Sequence, residues 1–276
     1  MPRSKLTFLF AAGAVCAVLG GLLWGQRPFH QFPGVEYRRF ETPPDADERT
    51  EFAFARLMFP PGWNDGYRGR FDGDWWKGLS LWTQDYPRAD RHFSQAVRRL
   101  TRIHIRSAEQ PVNLDDGDEV YNWPWLYAVQ VGEWTLTDAQ AKVLRDYLLR
   151  GGFFMADDFH GSVEWGVFTE VMHRVFPDRQ IVDIDDADPM FHALYDLKDR
   201  IQVPGAAHLY RGYKNDGIGA HWRAIKDDNG RILVAISYNS DIGDAWEYAD
   251  DPSYPEKFSG MAIRYGVNTI IYAMSH

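Results

Sequence analysis

The chain of 276 residues is long enough to bury a large core, and its make-up of 45% hydrophobic, 25% charged and 15% aromatic residues excludes a disordered, fibrous or disulfide-stapled protein. Its net charge is -9, and about -11 once Arg3 and Lys5 are set apart, which argues against nucleic acid as a partner. The single cysteine, Cys16, lies in an apolar N-terminal run, so the body can form no disulfide and offers no cysteine nucleophile.

Arg3 and Lys5 precede residues 6–24, nineteen residues without a charge. That is longer than the roughly 7–15 residues of a cleavable signal and close to the ~20 needed to cross a bilayer. Residues 1–26 are expected to be a signal-anchor, with a cleaved signal peptide as second choice. The membrane is the partner of residues 6–24, and the charges on the short N-terminal side place the body on the extracytoplasmic face. Residues 27–50, with Pro28, Pro33, Pro43, Pro44 and Asp45-Ala46-Asp47-Glu48, read as a tether, and residues 51–276 as a single domain.

Within that domain, residues 52–59 have strand content and end at Pro60-Pro61-Gly62. A Trp- and Gly-rich stretch, residues 63–82, follows. Phe93, Val97 and Leu100 at helical spacing predict a surface helix over residues 89–101, followed by Ile103-His104-Ile105 as a short strand. Residues 125–131 predict another strand. Thr137-Asp138-Ala139-Gln140 is a capping box opening a helix with Val143, Leu144, Tyr147 and Leu148 on one face and Gly151-Gly152 as its stop. Phe153-Phe154-Met155-Ala156 is a continuous apolar run, as expected of a central parallel strand covered on both faces. A helix through Phe168, Val171, Met172 and Val175, a strand over residues 180–184, a strand over residues 231–238 and a terminal helix over residues 258–274 complete the alternation. Strands alternating with helices imply an open α/β sheet.

In such sheets ligands bind beyond the carboxyl ends of the strands. Directly after the central strand stands Asp157-Asp158-Phe159-His160-Gly161. Two carboxylates and an imidazole there suit metal coordination or acid/base work, and Asp158 and His160 would project to one side of an extended segment. The competing interpretation is that one aspartate caps the next helix. A second cluster, Tyr238-Asn239-Ser240-Asp241-Ile242-Gly243-Asp244-Ala245-Trp246-Glu247, follows the late strand and has the composition of a ligand loop or of an ordinary turn. Asp158 and His160 are the candidate catalytic pair; Asp157, Asn239, Asp241 and Trp246 are candidate ligand-binding residues. The run Asp183, Asp185, Asp186 and Asp188 lacks the glycine and spacing of a calcium loop. His192 and His208 are further metal-ligand candidates from elsewhere in the chain. Trp63, Trp75, Trp76, Trp82, Trp123 and Trp125 serve either packing or the stacking of a sugar. The chain has no G-x-S-x-G elbow, no phosphate-binding P-loop and no dinucleotide glycine turn, and no residue pattern specifies a cofactor.

The order of pieces, from Phe52-Ala53-Phe54-Ala55-Arg56-Leu57 through Gly151-Gly152-Phe153-Phe154-Met155-Ala156-Asp157-Asp158 to Asp188-Pro189-Met190-Phe191 and Asn239 to Trp246, resembles a bacterial family catalogued as domain of unknown function 4159. The resemblance implies a flavodoxin-like fold of the class I glutamine amidotransferase kind, an open, mostly parallel sheet with helices on both faces. It carries no established activity. With no cysteine in the body, amidotransferase chemistry is not carried over. Relatives are expected to have histidine before the proline at 189, where this chain has Asp188. The expectation is a domain anchored in the bacterial inner membrane that binds an envelope protein or a carbohydrate. The alternatives are a metal- or carboxylate-dependent hydrolase of an envelope substrate, and a scaffold docking through the Trp-rich loop.

Overall fold

The computed structural model describes residues 27–62 and 74–276. Seven strands, β1 (Ala55–Met58), β2 (Gln110–Asn113), β3 (Trp125–Ala128), β4 (Phe153–Ala156), β5 (Ile181–Asp183), β6 (His221–Lys226) and β7 (Ile232–Tyr238), form one sheet in the order β2-β1-β3-β4-β7-β6-β5. The first five in that order run parallel, and β6 and β5 run antiparallel at the far edge. The helices are α1 (Arg88–Leu100), α2 (Asp138–Leu149), α3 (Gly161–Val175), α4 (Ile242–Glu247) and α5 (Glu256–Ser275).

Period-two alternation along the strands divides the interior into two cores. Phe154 and Ala156 of β4 pack with Leu144 and Leu148 of α2 and Phe168 and Met172 of α3. Phe153 and Met155 join Phe93 and Val97 of α1, Ala245 and Trp246 of α4, and Met261 and Ile270 of α5. The unbroken apolar run of β4 is thus covered on both faces, as its composition requires. The capping box of α2 is complete: Thr137 Oγ1 accepts from the Gln140 amide, and Gln140 Oε1 accepts from the Thr137 amide.

Three elements differ from the expectation. Ile103-His104-Ile105 contributes only a bridge from Ile105 to Phe52, and the paired strand is β2, five residues further on. Pro111 is tolerated there because β2 is the sheet edge, where a missing amide breaks no ladder bond. Strand β6 was not anticipated, since His221, Arg223 and Lys226 interrupt its apolar positions. Residues 242–247, which have turn composition, form the short helix α4 capped by Asp241.

The stretch expected to be a tether lies along the body. Gln31 and the Glu41 carbonyl take Arg91, the Phe32 amide donates to Tyr86, and Asp45 takes Arg98 and Ser107. At its start Arg27 pairs with Asp116 at 2.8 Å. Residues 1–26, with the expected signal-anchor, and Trp63 lie outside the described residues; among those described, no helix is long and apolar enough to cross a membrane. Trp82, Trp123 and Trp125 are buried in the interior rather than forming a platform, while Trp76 is exposed.

Candidate functional site

The loops leaving β4 and β7 meet. Asp158, the second residue after β4, is buried and held at φ +49°, and its Oδ2 accepts from Gln130 at the exit of β3 (2.6 Å). Its Oδ1 lies 2.9 Å from His160 Nε2 and 3.9 Å from Lys214 Nζ. Burial pushes this carboxyl up, but Lys214 and His160 together hold it below the usual carboxylate range. An ionised Asp158 can only accept, so His160 Nε2 carries the proton toward it. The other ring nitrogen, Nδ1, is buried with no partner among the described residues.

Asp241 completes the group. One ring nitrogen of His160 and one carboxylate oxygen each of Asp158 and Asp241 lie within 4.8 Å of one another. Asp241 caps α4 by accepting from the Asp244 amide at 2.9 Å. Burial, then Asp158 and Asp244, raises its carboxyl well above the ordinary range. Lys214, mostly buried, also approaches Glu164 at 3.7 Å, and these carboxylates hold its ammonium charged against the cost of burial. Burial, then Lys214 and His160, holds His208 below its ordinary value, which places it in the field of the same group.

Close backbone approach makes room for this convergence. Gly205 lies against the pair Asp241 and Asp244, and a Cβ there would stand 2.5 Å from Asp241 Oδ2 and 2.9 Å from Asp244 Oδ2. Five polar residues around the site have left-handed backbone, Asp85 (φ +59°), Gln130 (φ +55°), Asp158 (φ +49°), Asn215 (φ +54°) and Asn239 (φ +67°). Such conformations cost of order 1–3 kcal/mol each and gather where surrounding structure fixes a functional geometry.

Asp157 faces away from the group and is fully buried. Its Oδ2 accepts from Tyr127 Oη (2.8 Å) and from the amides of Ile242 (2.9 Å) and Gly243 (2.8 Å), and its Oδ1 from Ser237 Oγ (2.7 Å). Burial, opposed by these donors and reinforced by Asp158, raises its carboxyl to about 6. Asp157 therefore acts as a capping aspartate, though for α4 rather than for the helix next in sequence. Asn239 spends its side chain on backbone, accepting from the Gly161 amide (2.9 Å) and donating to the Gly219 carbonyl (2.9 Å). Trp246 is a correction to the sequence reading: it is fully buried and stacked at 4.1 Å on Phe93, so it has no free face for a ligand. His192 pairs with Asp196, and Asp188 caps a short turn and takes Lys226 at 2.6 Å.

Sequence reasoning missed Asp85, Gln130, Glu164 and Lys214. Asp85 and Gln130 follow β1 and β3, respectively, on the carboxyl side, where the strand-exit rule applies, but single polar residues there gave no pattern. Lys214 lies in a segment without periodicity and carried no signal.

What the strands and this edge define is a mixed α/β protein with a seven-stranded, mostly parallel open sheet and a buried acidic group at the carboxyl ends of its central strands. The chain belongs to the family described as Domain of unknown function (DUF4159), whose model matches residues 77–274. No curated protein matches the chain.

Proposed function

We propose that this is a membrane-tethered, extracytoplasmic domain of the bacterial envelope that binds a divalent cation through Asp158, His160 and Asp241, and through that cation an anionic or oxygen-rich envelope ligand. The observation that carries the reading is the close approach of one His160 ring nitrogen to two buried carboxylates, on a ring whose Nδ1 has no partner among the described residues. Two oxygens and one imidazole nitrogen form a donor set for a borderline or hard divalent ion. A buried polar atom without a partner is costly, and a cation would satisfy it. The uncharged run of residues 6–24 behind Arg3 and Lys5 supports the tether. The strand order β2-β1-β3-β4 supports a flavodoxin-like sheet of the class I glutamine amidotransferase kind, with its switch point beside the site.

A hydrolase of a carbohydrate or other envelope substrate is the second reading. It is favoured by the Asp158–His160 pair with Lys214 beside it, a base, its orienting partner and a cation within one buried group.

Equilibrium dialysis of the full chain in mild detergent against Mn2+ and Zn2+ tests the proposal, with His160→Ala and Asp241→Asn in parallel. Saturable binding weakened at least tenfold by each substitution is expected. No binding of either ion, with the variants folded, would refute it.

A further inference from the structure

A second group of carboxylates adjoins the first. One oxygen each of Asp85, Asp241 and Asp244 lies within 4.8 Å of the others, and Asp241 belongs to both groups. Asp85 comes from the connection between β1 and α1, so the group joins two separate parts of the chain. Asp241 and Asp244 lie one helical turn apart at the start of α4. Asp244 Oδ2 accepts from the Ala206 amide at 2.6 Å, which fixes that carboxylate from the side opposite α4.

The independent pointer to a ligand is Asp85. The residue is 1% exposed; its side chain comes within hydrogen-bonding reach of Asp244, while its Oδ2 has no hydrogen-bond partner among the described residues. It is directed at α4, where a Cβ on Gly243 would stand 2.6 Å from it. Among the described residues, Asp85, Asp241 and Asp244 make no direct ion pair; Arg56 and Lys214 act on Asp85 and Asp241 only at longer range. Three oxygens and no nitrogen form the donor set of a hard cation. Donors on one such ion, bonded at about 2.1 Å, stand roughly 3–4.2 Å apart, so the observed spread closes with small side-chain shifts.

We infer that Asp85, Asp241 and Asp244 hold a second divalent cation of the hard, oxygen-preferring class, with the Asp241 carboxylate bridging it to the cation at Asp158 and His160. The inference rests on the proposed first site and makes the carboxyl edge a paired-cation centre. Two cations joined by a carboxylate clamp both oxygens of a bound oxyanion such as a phosphoryl or carboxyl group. The anionic ligand class follows from that arrangement.

The test is a Mn2+ titration of the full chain in detergent, read by metal content after gel filtration and by electron paramagnetic resonance. Two Mn2+ per chain with an exchange-coupled spectrum are expected, falling to one uncoupled Mn2+ in Asp85→Asn. One Mn2+ in the wild type, lost in His160→Ala and unaffected by Asp85→Asn, overturns the second site and leaves the first standing. Two Mn2+ that survive Asp85→Asn also overturn the assignment. No bound Mn2+ removes both sites. The wild-type stoichiometry decides between one and two even if a variant fails to fold.

Discussion

Replacing Asp157 by alanine tests the view that this aspartate holds the site together without being part of it. The carboxylate accepts from two hydroxyls and two amides, Tyr127, Ser237, Ile242 and Gly243, at 2.7–2.9 Å. The hydroxyls can turn to other acceptors, and Ser237 Oγ already lies 3.1 Å from the Ala156 carbonyl. The amides at the start of α4 cannot turn. Each buried donor left without a partner costs about 1–3 kcal/mol, so Asp157→Ala should lose about 2–6 kcal/mol. That is a large part of the roughly 5–15 kcal/mol that holds a domain together. Urea unfolding at pH 7, followed by tryptophan fluorescence, measures it, while cation stoichiometry per folded chain should be unchanged. A loss under about 1 kcal/mol would refute the reasoning, because it would mean these donors are satisfied without the carboxylate.

Other substitutions probe separate parts of the structure. Glu247 accepts from Tyr37 at 2.5 Å, and burial, then Glu36, raises its carboxyl from 4.5 to about 8. The folded state therefore keeps a proton that the unfolded chain releases, and the associated stability, at most about 5 kcal/mol, is present below pH 4.5 and lost as the pH rises through about 8. Melting temperatures across that range should fall less steeply in Glu247→Gln, and an unchanged slope would contradict the assignment. Arg56 and Asp90 form a fully buried ion pair with a second contact at 2.8 Å. Arg56→Met leaves Asp90 uncompensated and should cost about 3–5 kcal/mol in urea unfolding. Gly205→Ala pushes a Cβ against Asp241 and Asp244, so cation affinity should drop at least tenfold by dialysis with only a modest loss of stability.

The central architecture is legible because its strands carry their own signal. The run Phe153-Phe154-Met155-Ala156 has no polar residue to place toward solvent, and the capping box at Thr137 and Gln140 marks the start of α2 without ambiguity. The flanks of the sheet are less readable: Pro111 stands in the edge strand β2, and β6, one strand in from the other edge, carries the half-buried charges of Arg223 and Lys226. In the site, the strand-exit rule pointed to Asp158, His160 and Asp241. It could not tell which neighbour turns inward. Asp157 and Asp158 are adjacent and chemically identical, yet one caps α4 and the other joins the acidic group. The left-handed backbone at Asp158, invisible in sequence, accompanies that divergence. Trp246 was misplaced for a similar reason, since a tryptophan after a strand reads the same whether it faces a cleft or Phe93.

The stretch from Arg27 to Thr50 has a geometric consequence for whatever precedes it. Arg27 is fastened to Asp116 and Glu119 in the connection that follows β2, on the side of the sheet where the parallel strands end. From there the chain descends past α1, with Gln31 and Glu41 gripping Arg91, to Asp45 beside Ser107, and enters β1 from the opposite side. The start of the described chain and the buried acidic group thus both lie toward the carboxyl ends of the parallel strands. Under the proposed tether, the segment leading from residues 6–24 would therefore join the body at the same end as the acidic group rather than at the opposite one.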